Sequence, residues 1–168
     1  LQEHVCRHSF GVVHSLGGCA KNKNSSSLPS RNAGWMSVVD VYKDYRFVLT
    51  IESQIERGYI TEKIVSAFSA RAIPVYYGVS VASSLLFGRL GKPYIDVRSV
   101  WRLKNISVDE TNLKKSDWII IANYLHDFEE NPEKHAAEMR DAALAHEDPV
   151  IVDLLKKHSV QRCVDACG

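Results

Sequence analysis

The chain has 168 residues, 21 Lys and Arg against 20 Asp and Glu, a formal net charge of +1, and 45% hydrophobic against 24% charged residues. That is enough chain to enclose a core in one domain, and the even charge balance argues against a nucleic-acid wrapper or a polybasic membrane-surface protein, both of which concentrate Lys and Arg. The strongest apolar run, Trp118 to Ala122, is far too short to cross a bilayer, and nothing at the start reads as a signal peptide. The first residue is Leu1 rather than Met, so a processed or partial chain is expected.

In chain order, Gln2 to Ser9 reads as weakly helical and Phe10 to Ser15 as a short strand. Residues 17–34, rich in Gly, Ser, Asn and Pro, read as a long exposed loop. Arg46 to Glu52 has the β-branched and aromatic content and the length of a buried strand, and residues 53–58 form a polar break ending in Gly58. The period then changes: Ile60, Ile64, Ala67, Phe68 and Arg71 fall at helical spacing and put four apolar residues on one face. Pro74 is expected to halt that helix, and Ile73 to Tyr77 reads as a second strand closed by Gly78. Strand, helix and strand in this order predict a βαβ unit and a parallel pair.

Further along, Pro93 to Val97 suggests a short strand, and Asp117 to Phe128 a helix capped by Ser116 that buries Trp118, Ile121, Leu125 and Phe128. Asn131-Pro132 signals a helix running to Ala145, and Asp148-Pro149 a last helix near Val150 to Lys157. The expected architecture is one three-layer α/β domain over residues 1–168 with a Rossmann-like parallel sheet, residues 148–168 forming a C-terminal helix and a Cys-bearing tail.

The chemistry concentrates at the start of the crossover helix, Tyr59-Ile60-Thr61-Glu62-Lys63. Thr61 suits an N-cap and Glu62 suits the positive end of the helix dipole. Lys63 does not, unless an anion shares the site, and free N–H groups at a helix start favour phosphate. A Lys there, after a strand and a short loop, fits a nucleotide-diphosphate site outside the carboxyl ends of parallel strands. Glu62 could then accept from ribose hydroxyls, and Tyr59 offers a ring and a hydroxyl. By spacing alone the plainer alternative stays open: first-turn charges are as a rule solvated surface, and Tyr59 fits core packing. Neither a GxGxxG nor a P-loop is present.

The stretch Tyr45 to Gly78, YRFVLTIESQIERGYITEKIVSAFSARAIPVYYG, resembles the donor-binding signature of the α1,3/4-fucosyltransferases. In that family a strand of the type Y-K-F-x-x-x-x-E-N-S precedes G/D-Y-V/I-T-E-K, a helix and I/V-P-V/I-x-x-G. Phe10 to Cys19 is similar to the family's V-D-x-x-G-x-C segment and Pro93 to Val97 to its S-F-I-x-V strand. The resemblance implies the C-terminal half of a GT-B glycosyltransferase that binds GDP-fucose and transfers fucose, with inversion, to a glycan acceptor containing N-acetylglucosamine. It implies that Lys63 contacts the diphosphate, Glu62 the ribose or fucose, Tyr59 the nucleotide sugar, and that Glu52 and Ser53, in the first two places of the E-N-S triplet, also belong to the donor-binding set. It also implies that a basic side chain, rather than a metal, neutralises the leaving GDP, so no metal or other cofactor is expected; no D-x-D pair occurs.

Three departures stand out. Ser53 replaces the family's Asn and Gln54 its Ser; Arg7, the nearest candidate for a phosphate-binding Arg, lies several residues too close to Cys19; and no segment corresponds to the half that carries the general base. No catalytic residue is therefore expected in this chain, and Asp96 reads as a structural strand-end residue. The other readings are a truncated, non-catalytic GDP-sugar-binding module and a GT-B transferase using another nucleotide sugar.

Cys6, Cys19, Cys163 and Cys167 allow three disulfide pairings, and their spacing departs from that of zinc knuckles. Asn24-Ser25-Ser26 and Asn105-Ile106-Ser107 are glycosylation sequons in predicted loops. With paired cysteines they fit a secretory lumen, and the family's eukaryotic members imply the Golgi, held there by a membrane anchor outside this sequence. His4 and His8 have helical spacing but no third metal ligand, and read as surface.

Overall fold

The computed structural model describes residues 14, 36–56, 58–79, 86–91 and 93–153. The expected helix and strand before residue 16 (apart from His14), the 17–34 loop, Arg7, the four cysteines, the Asn24 sequon and the tail beyond 153 lie outside the described residues. The described residues fall into two compact units, one built from those within 36–96 and from 136–153, the other from 97–135 with His14.

The first unit contains helix α1 (Met36–Tyr42), strand β1 (Phe47–Ile51), helix α2 (Glu62–Ser69), strand β2 (Ile73–Tyr77) and strand β3 (Ile95–Asp96). Among the described residues the sheet is three-stranded in the order β1-β2-β3, with both pairs parallel; Leu49 sits opposite Val75, and Val75 opposite Ile95. This is the expected α/β, Rossmann-like arrangement, with α2 as the crossover of a βαβ unit.

Register explains how α2 covers the sheet. Val48 pairs with Pro74 and Thr50 with Tyr76, so these four side chains point to one face. There Val48 packs with Val39 of α1, Ala67 of α2 and Ala70 just after it, while Tyr76 packs with Ile64, Val65 and Phe68. Ile64, Ala67 and Phe68, read from helical spacing, are fully buried. Phe87, which meets Phe68 edge-on at 5.2 Å, Ala145 and Ile151 complete the cluster.

Pro74 does not end α2. The helix stops at Ser69, and Arg71, in the left-handed region with φ 59°, reverses the chain toward β2. Pro74 lies inside the central strand, which tolerates it for a positional reason. Ile73 donates to Arg46 O and Tyr77 O accepts from Glu52, so the odd residues of β2 bond toward β1. The missing N–H of Pro74 therefore points to the β3 side, before β3 begins. The strand expected over Pro93 to Val97 contracts to Ile95–Asp96, because Val97 already opens the next helix.

Helix α5 (Ala136–Ala145) belongs to this unit, as does a helical stretch over 149–153. The Asp148-Pro149 start signal is correct. Asp148 Oδ1 accepts from the Val150 N–H at 2.9 Å and also pairs with Arg89, while Pro149 takes the first helical position, where no donor is needed.

The second unit contains α3 (Val97–Leu103) and α4 (Lys115–Glu130). Trp101 and Trp118 meet edge-on at 6.1 Å, and Trp101 Nε1 donates to Asp117 O at 2.8 Å. The cap of α4 is not Ser116, which lies within the helix. Lys114 is the N-cap, and the Asp117 carboxylate reaches back to accept its N–H at 2.7 Å. Asn131-Pro132 does not start a helix either. Asn131 ends α4, donating from its backbone to Asp127 O at 3.0 Å, and residues 132–135 form a turn before α5.

That turn supplies a pH-dependent contact. Hydrogen bonds from Lys134 first, then from His135, hold the Asp127 carboxyl below its ordinary range, and Asn131 Nδ2 adds a third at 2.9 Å. A carboxyl with a depressed folded pKa contributes stability above its unfolded value, about 4, and loses that contribution as pH falls through the folded value. Acid titration is expected to loosen this turn before α4 itself, and Asp127→Asn to remove that early step. Amide exchange at residues 131–135 between neutral and acid pH checks it.

Candidate functional site

The ends of β1 and β2 and the start of α2 meet around one buried carboxylate. Glu52 follows β1 and extends the ladder, its N–H donating to Tyr77 O at 2.9 Å. Its side chain is 0% exposed. The Thr61 N–H donates to Glu52 Oε1 at 2.9 Å, the Thr61 hydroxyl to Oε2 at 2.6 Å, and Lys63 Nζ to Oε2 at 3.3 Å. A buried carboxylate is costly unless its lone pairs are used, and here both oxygens are engaged.

Thr61 is the N-cap of α2 with extended backbone, its hydroxyl oxygen accepting from the Lys63 N–H at a long 3.5 Å and from Lys63 Nζ at 3.3 Å. Gly58, with φ 84°, turns the loop toward this cap, a conformation that side-chain-bearing residues avoid. Glu62 and Lys63 occupy the first turn. The cation that the dipole alone disfavours is thus balanced by Glu52. Its side chain remains 38% exposed, so it is both anchored and reachable.

Gly78 closes β2 beside Glu52. A Cβ at this position would lie 2.8 Å from Glu52 Cγ and overlap the Tyr76 phenol. Both neighbours are buried and cannot give way cheaply. Gly78→Ala is expected to destabilise the fold by about 2 kcal/mol through overpacking, read as a fall in the denaturant midpoint.

The residues expected at the site divide into three groups. Glu52 and Lys63 are in direct contact, at the carboxyl ends of β1 and β2, where open α/β sheets bind ligands. Ser53 and Tyr59 form a second pair, their hydroxyl oxygens 2.9 Å apart across the loop and exposed. Glu62 is not on Glu52 or Lys63; its charge acts on Tyr42 of α1, whose phenol is pushed up by burial first and by Glu62 second. Thr61 is the site residue the sequence reading missed, although its N-cap position was legible. Its contact with Glu52 spans nine residues and a loop, which no local pattern encodes.

The arrangement offers an accessible ammonium, the positive end of a helix and two exposed hydroxyls around a buried carboxylate, which suits an anionic ligand bearing hydroxyl groups. Among the described residues, no group of three or more His, Cys, Asp or Glu side chains is placed to hold a metal ion, and no helix is long and apolar enough to cross a membrane.

Comparison with known proteins gives this geometry its class. The family described as "Glycosyltransferase family 10 (fucosyltransferase) C-term" matches residues 7–135, so the chain belongs to glycosyltransferase family 10. It is a glycosyltransferase domain, and the matched span includes every residue of the site. A curated relative, "Putative fucosyltransferase R654" of Acanthamoeba polyphaga mimivirus, is 35% identical over 75 residues, covering 42% of this chain and 12% of the relative. The chain thus matches about an eighth of that protein's length. No solved structure gives a significant match.

Proposed function

We propose that this chain binds GDP-fucose and forms the donor side of an inverting α1,3-fucosyltransferase acting on glycans that contain N-acetylglucosamine. The observation that carries the reading is the half-exposed Lys63 ammonium at the start of α2, held only at 3.3 Å by a carboxylate with two other donors. When a diphosphate binds, Nζ exchanges Glu52 Oε2 for a phosphate oxygen, and Glu52 stays satisfied by Thr61. Charge-assisted hydrogen bonds of this kind are among the stronger polar contacts.

In the transfer step, the acceptor hydroxyl oxygen attacks the anomeric carbon of fucose from the face opposite GDP. The bond from that carbon to the diphosphate oxygen breaks, and Lys63 with the first N–H groups of α2 neutralises the charge left on GDP. Glu62 accepts from the ribose or fucose hydroxyls, while Tyr59 and Ser53 contact the nucleotide sugar. No residue of this chain is assigned as the general base; it belongs to the acceptor-binding half implied by the family resemblance. The cationic site neutralises GDP without a metal cofactor. The proposed setting is the Golgi lumen, with anchorage through a segment outside this sequence.

A second reading, a module that binds donor without transferring it, is favoured by Ser53: its short side chain is already engaged with Tyr59. Thermal denaturation at rising GDP, GDP-fucose, UDP and UDP-galactose tests the donor assignment. A ligand at 100 times its Kd stabilises the fold by about 2.7 kcal/mol. Only the two guanine nucleotides are expected to raise the midpoint; an equal rise with UDP would shift the reading to another nucleotide sugar. Transfer assays with the chain joined to its acceptor half then separate enzyme from module.

A further inference from the structure

The turn that ends α3 presents the triplet Asn105-Ile106-Ser107. The N–H groups of Asn105 and Ile106 are both used. Asn105 N–H donates to Arg102 O at 3.0 Å and Ile106 N–H to Trp101 O at 3.0 Å, the paired bonds of a helix C-terminus closed by a left-handed residue. Asn105 is that residue, with φ 53°, a conformation that Asn tolerates better than most side-chain-bearing residues. Ile106 turns inward and is half-buried, while Asn105 and Ser107 are exposed. Among the described residues neither the Asn105 carboxamide nor the Ser107 hydroxyl makes a hydrogen bond. Leu103, two residues before the Asn, is 72% exposed, the most exposed large hydrophobic side chain among the described residues.

We propose that Asn105 is a site of N-glycosylation, taking an oligosaccharide from a polyprenyl diphosphate carrier. The Asn105 carboxamide nitrogen bonds to C1 of the first sugar, the bond from C1 to the carrier's diphosphate breaks, the polyprenyl diphosphate leaves, and one amide proton passes to a base of the transferase. Three features support the assignment beyond the triplet itself: the turn needs none of the side-chain polar atoms of Asn105 or Ser107, both side chains are exposed, and the first sugar can lay its apolar face on Leu103. In the folded protein the glycan projects outward from the α3–α4 connection and displaces no packed group. The proposal rests on the lumenal setting proposed above and is independent of which nucleotide sugar binds.

The test directs the 168-residue chain to the endoplasmic reticulum of eukaryotic cells behind a cleavable leader, so that delivery no longer depends on the native compartment. Asn24→Gln removes the other sequon. In that background the lumenal protein is expected to carry one glycan, released by peptide-N-glycosidase and mapped by mass spectrometry to Asn105. Adding either Asn105→Gln or Ser107→Ala is expected to remove it entirely. Absence of a glycan from the lumenal Asn24→Gln protein, or its persistence in Asn105→Gln, would overturn the proposal. Because glycan occupancy is read on the whole lumenal pool, a variant that folds poorly still gives an answer, and GDP binding plays no part in it.

Discussion

Lys63→Ala is expected to weaken GDP binding by about 30- to 100-fold, the equivalent of about 2–3 kcal/mol for a lost charge-assisted contact to phosphate. The same change should cost the free protein little. The Lys63 side chain is 38% exposed, so its pairing with Glu52 is screened by solvent, and Glu52 retains both donors from Thr61. A stability loss of about 1 kcal/mol with the large loss of affinity would separate a ligand-binding cation from a structural one. Titration calorimetry for binding and a denaturant midpoint for stability measure the two effects. Lys63→Arg is not expected to restore full affinity, because a planar guanidinium does not reproduce the compact ammonium that exchanges Glu52 Oε2 for a phosphate oxygen.

Glu52→Ala is expected to act in the opposite proportion, lowering stability by about 3 kcal/mol. It removes two short hydrogen bonds at 2.6 and 2.9 Å, leaves the Thr61 N–H without its acceptor and opens a void against Gly78. The N-terminus of α2 would lose its tie to β1, so GDP affinity should fall as well, through misplacement of Lys63 rather than loss of a direct contact. Glu52→Gln keeps the volume and an oxygen for the Thr61 N–H, and should recover most of the stability. A fall in denaturant midpoint at unchanged slope, larger for Ala than for Gln, is the expected signature. A stability loss that exceeds the loss of GDP affinity would mark Glu52 as a residue that holds the site in place; the reverse proportion would mark a direct donor contact.

The βαβ unit was legible because its two periods are strong: the β-branched run ending at Ile51 and the helical spacing of Ile64, Ala67 and Phe68 leave one arrangement of buried faces. The anomaly of a Lys in the first turn of α2 was legible too, and it led to the site. Its explanation was not, because Glu52 and Lys63 are joined through a loop and a register that only the fold sets. Helix ends were read less well. Ser116 looked like a cap while Asp117, at the third helical position, did the capping from inside the helix, and Pro132 looked like a helix start although Asn131 closes the preceding one. At the first end two side chains that can both cap compete for one terminus; at the second, the same Asn serves the C-terminus of one helix instead of the N-terminus of the next. The family signature held more information than any single pattern, since Tyr45 to Gly78 preserves both the strand ends and the helix start in register, and these are the places where the three-dimensional site assembles.

The central claim is that the start of α2, with Lys63, receives the diphosphate of a guanine nucleotide. Titration calorimetry of the chain with GDP, run beside UDP and repeated with Lys63→Ala, tests it most directly. Saturable binding of GDP, much weaker binding of UDP and loss of the GDP signal in the variant are the predicted result. An unchanged GDP affinity in a folded Lys63→Ala protein, or no GDP binding by the chain at all, would contradict it.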